Sequence, residues 1–152
     1  MISNKINTFL KGLPKIPGDK SISHRSIIIP SISNGICEVS NLLKSDDVIN
    51  TLEAFKSMGV NITEQNEKIT IYGKGMNSLK KPKKEIYLGN SGTSARLLAG
   101  LLSSQSFNSK LIGDKSLSSR PMKRISDPLK KMNAEIYDNN GKLPMEIKGK
   151  EL

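Results

Sequence analysis

Apolar residues recur at helical spacing in two places along the chain. Val48, Leu52, Phe55 and Met58 share one face of a predicted helix, and Met122, Ile125, Leu129 and Met132 share one face of another. Ser45 and Asp46 supply N-cap chemistry for the first of these helices, and Pro121 suits the first turn of the second. A more apolar helix precedes each, from Ser23 to about Ser33 and from Thr93 to about Ser104, followed by a short strand at Ile36–Ser40 and at Ser109–Ile112. Two alternating strands close each set: Val60–Thr63 with Lys68–Tyr72, then Glu135–Tyr137 with Pro144–Lys148. Asn139-Asn140-Gly141 reads as the hairpin turn between the last two, and a strand at Glu85–Leu88 leads into the second set. Pro30 falls inside the first helix, where it should kink or shorten it.

The two sets align. "PGDKSISHR" (17–25) lies over "LGNSGTSAR" (88–96) at an offset of 71, "FKSMGVNI" over "LKKMNAEI" at 74, and "ITIYG" over "MEIKG" at 76. A slowly drifting offset is what loop insertions produce. The pattern predicts two copies of a unit of about seventy residues, unit one at about 14–75 and unit two at about 84–150. The expected fold class is α/β (α+β), with repeated βαβαββ units whose helices pack against mixed sheets.

A chain of 152 residues can bury a real core, and 36% apolar content with 4% aromatics makes that core aliphatic. A single cysteine, Cys37, excludes an internal disulfide and fits a reducing compartment; it reads as a small core residue. With one histidine, His24, no histidine-built metal site is expected, and neither cofactor nor metal. The apolar run Leu97–Leu102 is too short to span a membrane. The opening "MISNKINTFLKGL" has no signal-peptide core, so the expected compartment is the cytoplasm. The net charge is +10, carried by 20 lysines and only four arginines. Abundant lysine, isoleucine and asparagine read either as coding bias with solubility or as a polyanion-binding surface.

The chemistry concentrates in three turns. "GDKSISHR" (18–25) and "GDKSLSSR" (113–120) share one arrangement, yet lie 95 residues apart and so are not equivalent positions of the repeat. "LGNSGTSAR" (88–96) has the same ingredients without lysine. Each turn opens a helix, where unpaired backbone N–H groups favour anions. Glycine permits close approach, serine donates hydrogen bonds, lysine adds a point charge and arginine a fork matched to phosphate or carboxylate. All four arginines, Arg25, Arg96, Arg120 and Arg124, lie in or beside these turns. Plainer readings stand beside this one. The serines can be N-caps, His24 a capping or packing residue, Asp46 and Asp47 helix caps, Arg96 a brace for its turn and Arg124 a decoration on a helix face.

The three motifs in this order resemble those of the 3-phosphoshikimate 1-carboxyvinyltransferase (5-enolpyruvylshikimate-3-phosphate synthase) family, over nearly all of residues 12–150. The resemblance implies the inside-out α/β fold of the enolpyruvyl transferases. It also implies transfer of the enolpyruvyl group of phosphoenolpyruvate to the 5-hydroxyl of shikimate 3-phosphate, with release of phosphate, by addition and elimination. This is a step of the shikimate pathway to aromatic amino acids. It further implies that Lys20, Ser21 and Arg25 meet shikimate 3-phosphate, and that Lys20, Asn90, Gly92 and Arg120 meet phosphoenolpyruvate. Gly92, where tolerant members often carry alanine, implies that the complete enzyme is sensitive to glyphosate. The family enzyme has six such units in two domains, and its acid/base residues come from later in the chain. The chain is therefore expected to be an N-terminal portion, with no catalytic acid or base of its own and no turnover alone.

Two alternatives remain at this level. The related UDP-N-acetylglucosamine 1-carboxyvinyltransferases share fold and donor, but their first motif has Lys-Asn where Lys20-Ser21 stands, and their cysteine has no counterpart. A basic nucleic-acid-binding module would explain the charge but not three ordered anion turns, and aromatics for base stacking are sparse, so nucleic acid is not the expected partner.

Overall fold

The computed structural model describes residues 11–14 and 16–150. The expectation about the signal peptide concerns residues that lie largely outside this range. Thirteen-residue α1 (Lys20–Ile32) opens at Asp19, whose carboxylate accepts the Ile22 N–H at 2.7 Å. It begins three residues earlier than the apolar pattern indicated, because the cap and the first polar turn carry no apolar signal. Pro30 does not end it at once. It sits in the last turn, the helix runs on to Ile32, and the Ser33 N–H closes onto Pro30 O at 3.2 Å. Chain then turns into β1 (Asn34–Val39), α2 (Asp46–Ser57), β2 (Asn61–Gln65) and β3 (Lys68–Lys74). A single 3₁₀ turn at Met76–Ser78 leads to the two-residue β4 (Ile86–Tyr87), shorter than the expected strand at Glu85–Leu88.

The second set repeats the order with one addition. α3 (Gly92–Ser103) and β5 (Ser109–Ile112) are followed by a short helix, α4 (Lys115–Ser119), which the apolar spacing did not indicate. Then come α5 (Lys123–Lys131), β6 (Glu135–Asp138) and β7 (Met145–Lys148). Pro121 lies just before the N-cap Met122 of α5 rather than in its first turn, and Pro128 lies inside that helix.

Three strands form one antiparallel sheet in the order β1-β3-β2, and four form a mixed sheet in the order β4-β5-β7-β6. β5, β7 and β6 pair in the same order and sense as β1, β3 and β2, while β4 adds a parallel edge to β5. No strand precedes α1 among the described residues, so the leading strand of the βαβαββ pattern is found only in the second set.

Apolar faces cover these sheets. α1 packs on β3 and α2, and α3 packs on β5, β7 and α5. Val48, Phe55, Met58, Leu98, Leu102, Leu111 and Ile147 are fully buried. Each side chain of this size contributes about 1.5–3 kcal/mol on leaving water. Met132 departs from the periodic reading. It stands past the end of α5 as the C-cap residue and is 57% exposed. Cys37 is half-buried on β1 rather than a core residue. Turns follow their chemistry: Asn140 and Gly141 take positive φ (54° and 75°), and Asn139 and Lys142 exchange both backbone bonds at 3.1 Å. No helix among the described residues is long and apolar enough to cross a membrane.

Candidate active site

The first turn is held against the loop after β1. A side-chain carbon on Gly18 would lie 2.2 Å from Asn41 O, so only glycine permits this approach. Buried Ser23 accepts the Leu43 N–H at 3.0 Å and ties α1 to the same loop. Lys20 is the first residue of α1, and its ammonium pairs with the carboxylate of Asp47 in the first turn of α2. Ser21 and Arg25, four residues apart and hence on one helix face, are both exposed. Arg25 makes no ion pair among the described residues.

The second turn caps α3. Ser91 Oγ accepts the Ser94 N–H at 3.2 Å, and the Gly92 N–H donates to Asn90 O at 3.0 Å. Arg96, one turn later, folds back so that its guanidinium donates to Gly92 O at 3.0 Å and to Pro121 O at 3.4 Å. The brace reading of Arg96 describes this geometry.

The third turn opens α4. Asp114 accepts the Leu117 N–H at 2.6 Å, and its own N–H donates to Gly89 O at 2.9 Å, which joins the second and third turns through the backbone. Arg120 closes α4 and donates from Nη2 to Asn90 Oδ1 at 2.5 Å. A carbon added to Gly92 would stand 2.7 Å from Arg96 Nη1 and 3.3 Å from Arg120 Nη1, so both guanidiniums border this glycine.

The aspartate shared by the two "GDKS" motifs therefore has a plain role. Asp19 and Asp114 are N-caps, and each occupies a helix-start N–H that the sequence reading left open for an anion. Asn90, Gly92 and Arg120 come together in one cluster. Lys20 is tied to Asp47, and Asp47 and Asn90 line the same open depression of about 580 Å³, together with Asp46, Asn50, Gly89 and Asp114; Lys20, Gly92 and Arg120 are not among its lining residues. Ser21 and Arg25 stand on the exposed face of α1, Ser21 next to Lys20 and Arg25 a little over one turn from it. The sequence offers Asp47 as a helix cap; the structure adds its pairing with Lys20. Its partner lies 27 residues away, and no local pattern signals that pairing.

Between the first two turns His24 is fully buried, with Nδ1 2.9 Å from Thr51 Oγ1. Burial, and then the nearby Lys20 charge, hold its pKa below the usual histidine value, against a smaller opposing pull from Asp47. Nothing in the periodicity marked Thr51 or Ser94 as buried partners. Both read simply as polar letters.

Comparison with known proteins follows the same three turns. The sequence profile of the EPSP synthase (3-phosphoshikimate 1-carboxyvinyltransferase) family matches residues 5–152. The chain is 55% identical over 140 residues to the 3-phosphoshikimate 1-carboxyvinyltransferase of Ruthia magnifica subsp. Calyptogena magnifica, covering 92% of this chain and 32% of that protein. It is 52% identical over 148 residues to the protein of the same name from Lactococcus lactis subsp. lactis, covering 95% and 34%. The solved structure of EPSP synthase from Acinetobacter baumannii superposes with a TM-score of 0.85 at 48% identity, covering 91% of this chain and 32% of that one. The chain thus spans about a third of the length of the relatives it matches. With profile, sequence and mixed α/β fold in agreement, the chain belongs to the EPSP synthase (3-phosphoshikimate 1-carboxyvinyltransferase) family.

Proposed function

We propose that this chain carries one side of the substrate site of a 3-phosphoshikimate 1-carboxyvinyltransferase. In this reading the complete protein joins the enolpyruvyl group of phosphoenolpyruvate to shikimate 3-phosphate in the cytoplasm, and residues 14–75 and 84–150 are two units of its N-terminal domain. The observation that carries the reading is the cluster in which Arg120 and Arg96 border Gly92 while Arg120 holds Asn90. Two guanidiniums beside a glycine offer positive charge and fork-shaped donors to a small, multiply charged anion. Arg120, Asn90 and Gly92 would receive phosphoenolpyruvate. Ser21 and Arg25 would receive the 3-phosphate of the acceptor, and Lys20 would lie between the two ligands, exchanging Asp47 for their anionic groups.

These residues bind and orient. The work left to them is to bring the acceptor hydroxyl against C2 of phosphoenolpyruvate, the carbon that bears the phosphate, and to hold charge as it develops. The groups that move protons belong to the part of the relatives that this chain does not span, so the chain alone gives no turnover.

Calorimetric titration with shikimate 3-phosphate tests the binding half of the proposal. Arg25→Ala should weaken binding at least about tenfold, the scale of a charge-assisted hydrogen bond. Arg124→Ala, which removes an exposed guanidinium from α5, should leave it unchanged. Equal loss in both variants would reduce the interaction to general charge attraction. Steady phosphate release by the chain from both substrates would contradict the division of labour.

A further inference from the structure

A buried polar chain crosses from the first turn to the second. His24, Thr51, Ser91 and Ser94 are at most 3% exposed. His24 Nδ1 lies 2.9 Å from Thr51 Oγ1 and 3.4 Å from Ser94 Oγ. The hydroxyls of Thr51 and Ser94 are 2.5 Å apart, and those of Ser94 and Ser91 are 2.7 Å apart. The partners are 27 and 70 residues from His24 in sequence, so this contact joins α1 to α2 and to α3.

Proton accounting assigns the tautomer from the hydrogen-bond network. The Thr51 hydroxyl donates to Asp47 O at 3.0 Å, so toward His24 its oxygen can only accept. The ring then carries its proton on Nδ1 and leaves Nε2 as a bare acceptor, and Nε2 is buried without a partner. The opposite tautomer would bury an N–H donor with no acceptor, the costlier defect. Protonating the ring would create the same orphan donor and bury a charge beside Lys20. Neutral His24 with its proton on Nδ1 is the state this pocket accepts.

Each member of the chain stands beside a site residue. His24 is one helical turn from Lys20 and adjacent to Arg25. Thr51 is one turn from Asp47. Ser91 lies between Asn90 and Gly92, and Ser94 is two residues from Gly92. Short, directional hydrogen bonds resist sliding where apolar contacts would permit it. We propose that His24 is a positioning residue: through Thr51 and Ser94 it sets the first turn, with Lys20, Ser21 and Arg25, at a fixed distance and angle from the second, with Asn90 and Gly92. The identity of the ligands so aligned rests on the function proposed above. The coupling itself does not.

The test uses the isotope-labelled chain and two substitutions. His24→Asn keeps an amide nitrogen near the Nδ1 position, and His24→Leu removes both the Nδ1 donor and the orphaned Nε2. Long-range proton–nitrogen spectra of the ring should show a neutral Nδ1–H imidazole. His24→Leu should melt within a few degrees of the parent, since it exchanges an unsatisfied polar edge for an apolar one. Residual dipolar couplings of the Gly92 and Arg96 amides, referred to α1, should nevertheless change in His24→Leu and return to parental values in His24→Asn. Affinity for phosphoenolpyruvate, measured with shikimate 3-phosphate present, should fall about tenfold in His24→Leu and recover in His24→Asn. If His24→Leu does not fold, the near-isosteric Thr51→Val breaks the same link and carries the same comparison.

An Nε2–H ring, unchanged couplings in His24→Leu, or equal defects in the Leu and Asn variants would each overturn the proposal. If the parent chain binds neither ligand while the couplings still respond, the positioning role stands and the substrate assignment fails.

Discussion

Gly92 shows how much one position can carry. It is buried at the start of α3, and a methyl group there would meet the ends of two arginine side chains rather than backbone. Those ends can move, and alanine suits a helix start better than glycine does. Gly92→Ala should therefore fold with a melting temperature at or above the parent's, while Arg96 and Arg120 are pushed out of place. The expected result is at least a tenfold loss of phosphoenolpyruvate affinity, measured with shikimate 3-phosphate present. Unchanged affinity would separate Gly92 from the anion site. At this scale the motif letters pointed to three turns rich in glycine, serine and arginine, and the family resemblance grouped Asn90, Gly92 and Arg120 at one ligand. They did not point to Asp47, Thr51 or Ser94. Those roles depend on partners from distant elements, and a polar letter on an amphipathic helix looks solvent-facing until another helix covers it.

Among the elements, the most informative residues are two glycines at equivalent places in the repeat. A side-chain carbon on Gly73 would sit 2.1 Å from Pro30 O and 2.3 Å from Ser33 O. On Gly149 it would sit 2.1 Å from Gln105 O and 2.4 Å from Phe107 O. In both sets the third strand ends against the backbone that leaves the first helix. The Gly75 N–H then bonds Ser33 O at 2.9 Å, and the Lys150 N–H bonds Ser103 O at 3.2 Å. Backbone cannot yield as a side-chain tip can. Gly73→Ala should cost about 1–3 kcal/mol in urea unfolding, and a neutral result would remove the close approach as a constraint.

The hairpin between β6 and β7 adds a pH-dependent element. Burial pushes the Asp138 carboxyl up, but Lys130 and the Gly141 N–H, at 3.0 and 2.8 Å, outweigh it and hold the group below the ordinary aspartate range. Lys130 is 41% exposed, so solvent screens that pair and its share of the stabilisation is discounted accordingly. A depressed carboxylate pKa stabilises the fold above the unfolded value, about 3.9, and the stabilisation disappears as pH falls through the folded value. Asp138→Ala should cost about 1–2 kcal/mol at neutral pH, and its urea midpoint should approach the parent's in strong acid. A pH-independent difference would contradict the sign. Element order was legible because apolar spacing and turn residues act locally. α4 was not, since five residues of mostly serine carry no periodicity, and β4 came out short because its strand is set by pairing with β5.

For the whole molecule, duplication explains the fold and convergence explains the site. Two sheets that share a three-strand order place three helix-opening turns near one another; the first two are equivalent in the repeat, and the third lies elsewhere in the second unit while sharing glycine, serine and arginine with them. Family membership could be seen from those letters. The pairing of Lys20 with Asp47 and the buried link through His24 could not, because both arise only when α1, α2 and α3 meet. The most direct test of the central claim is a nuclear magnetic resonance titration of the isotope-labelled chain with shikimate 3-phosphate, with an RNA oligonucleotide as competing ligand. The account predicts saturable shifts centred on Lys20, Ser21 and Arg25, with RNA binding weak and steeply salt-dependent. A well-dispersed spectrum that ignores the sugar phosphate would contradict it.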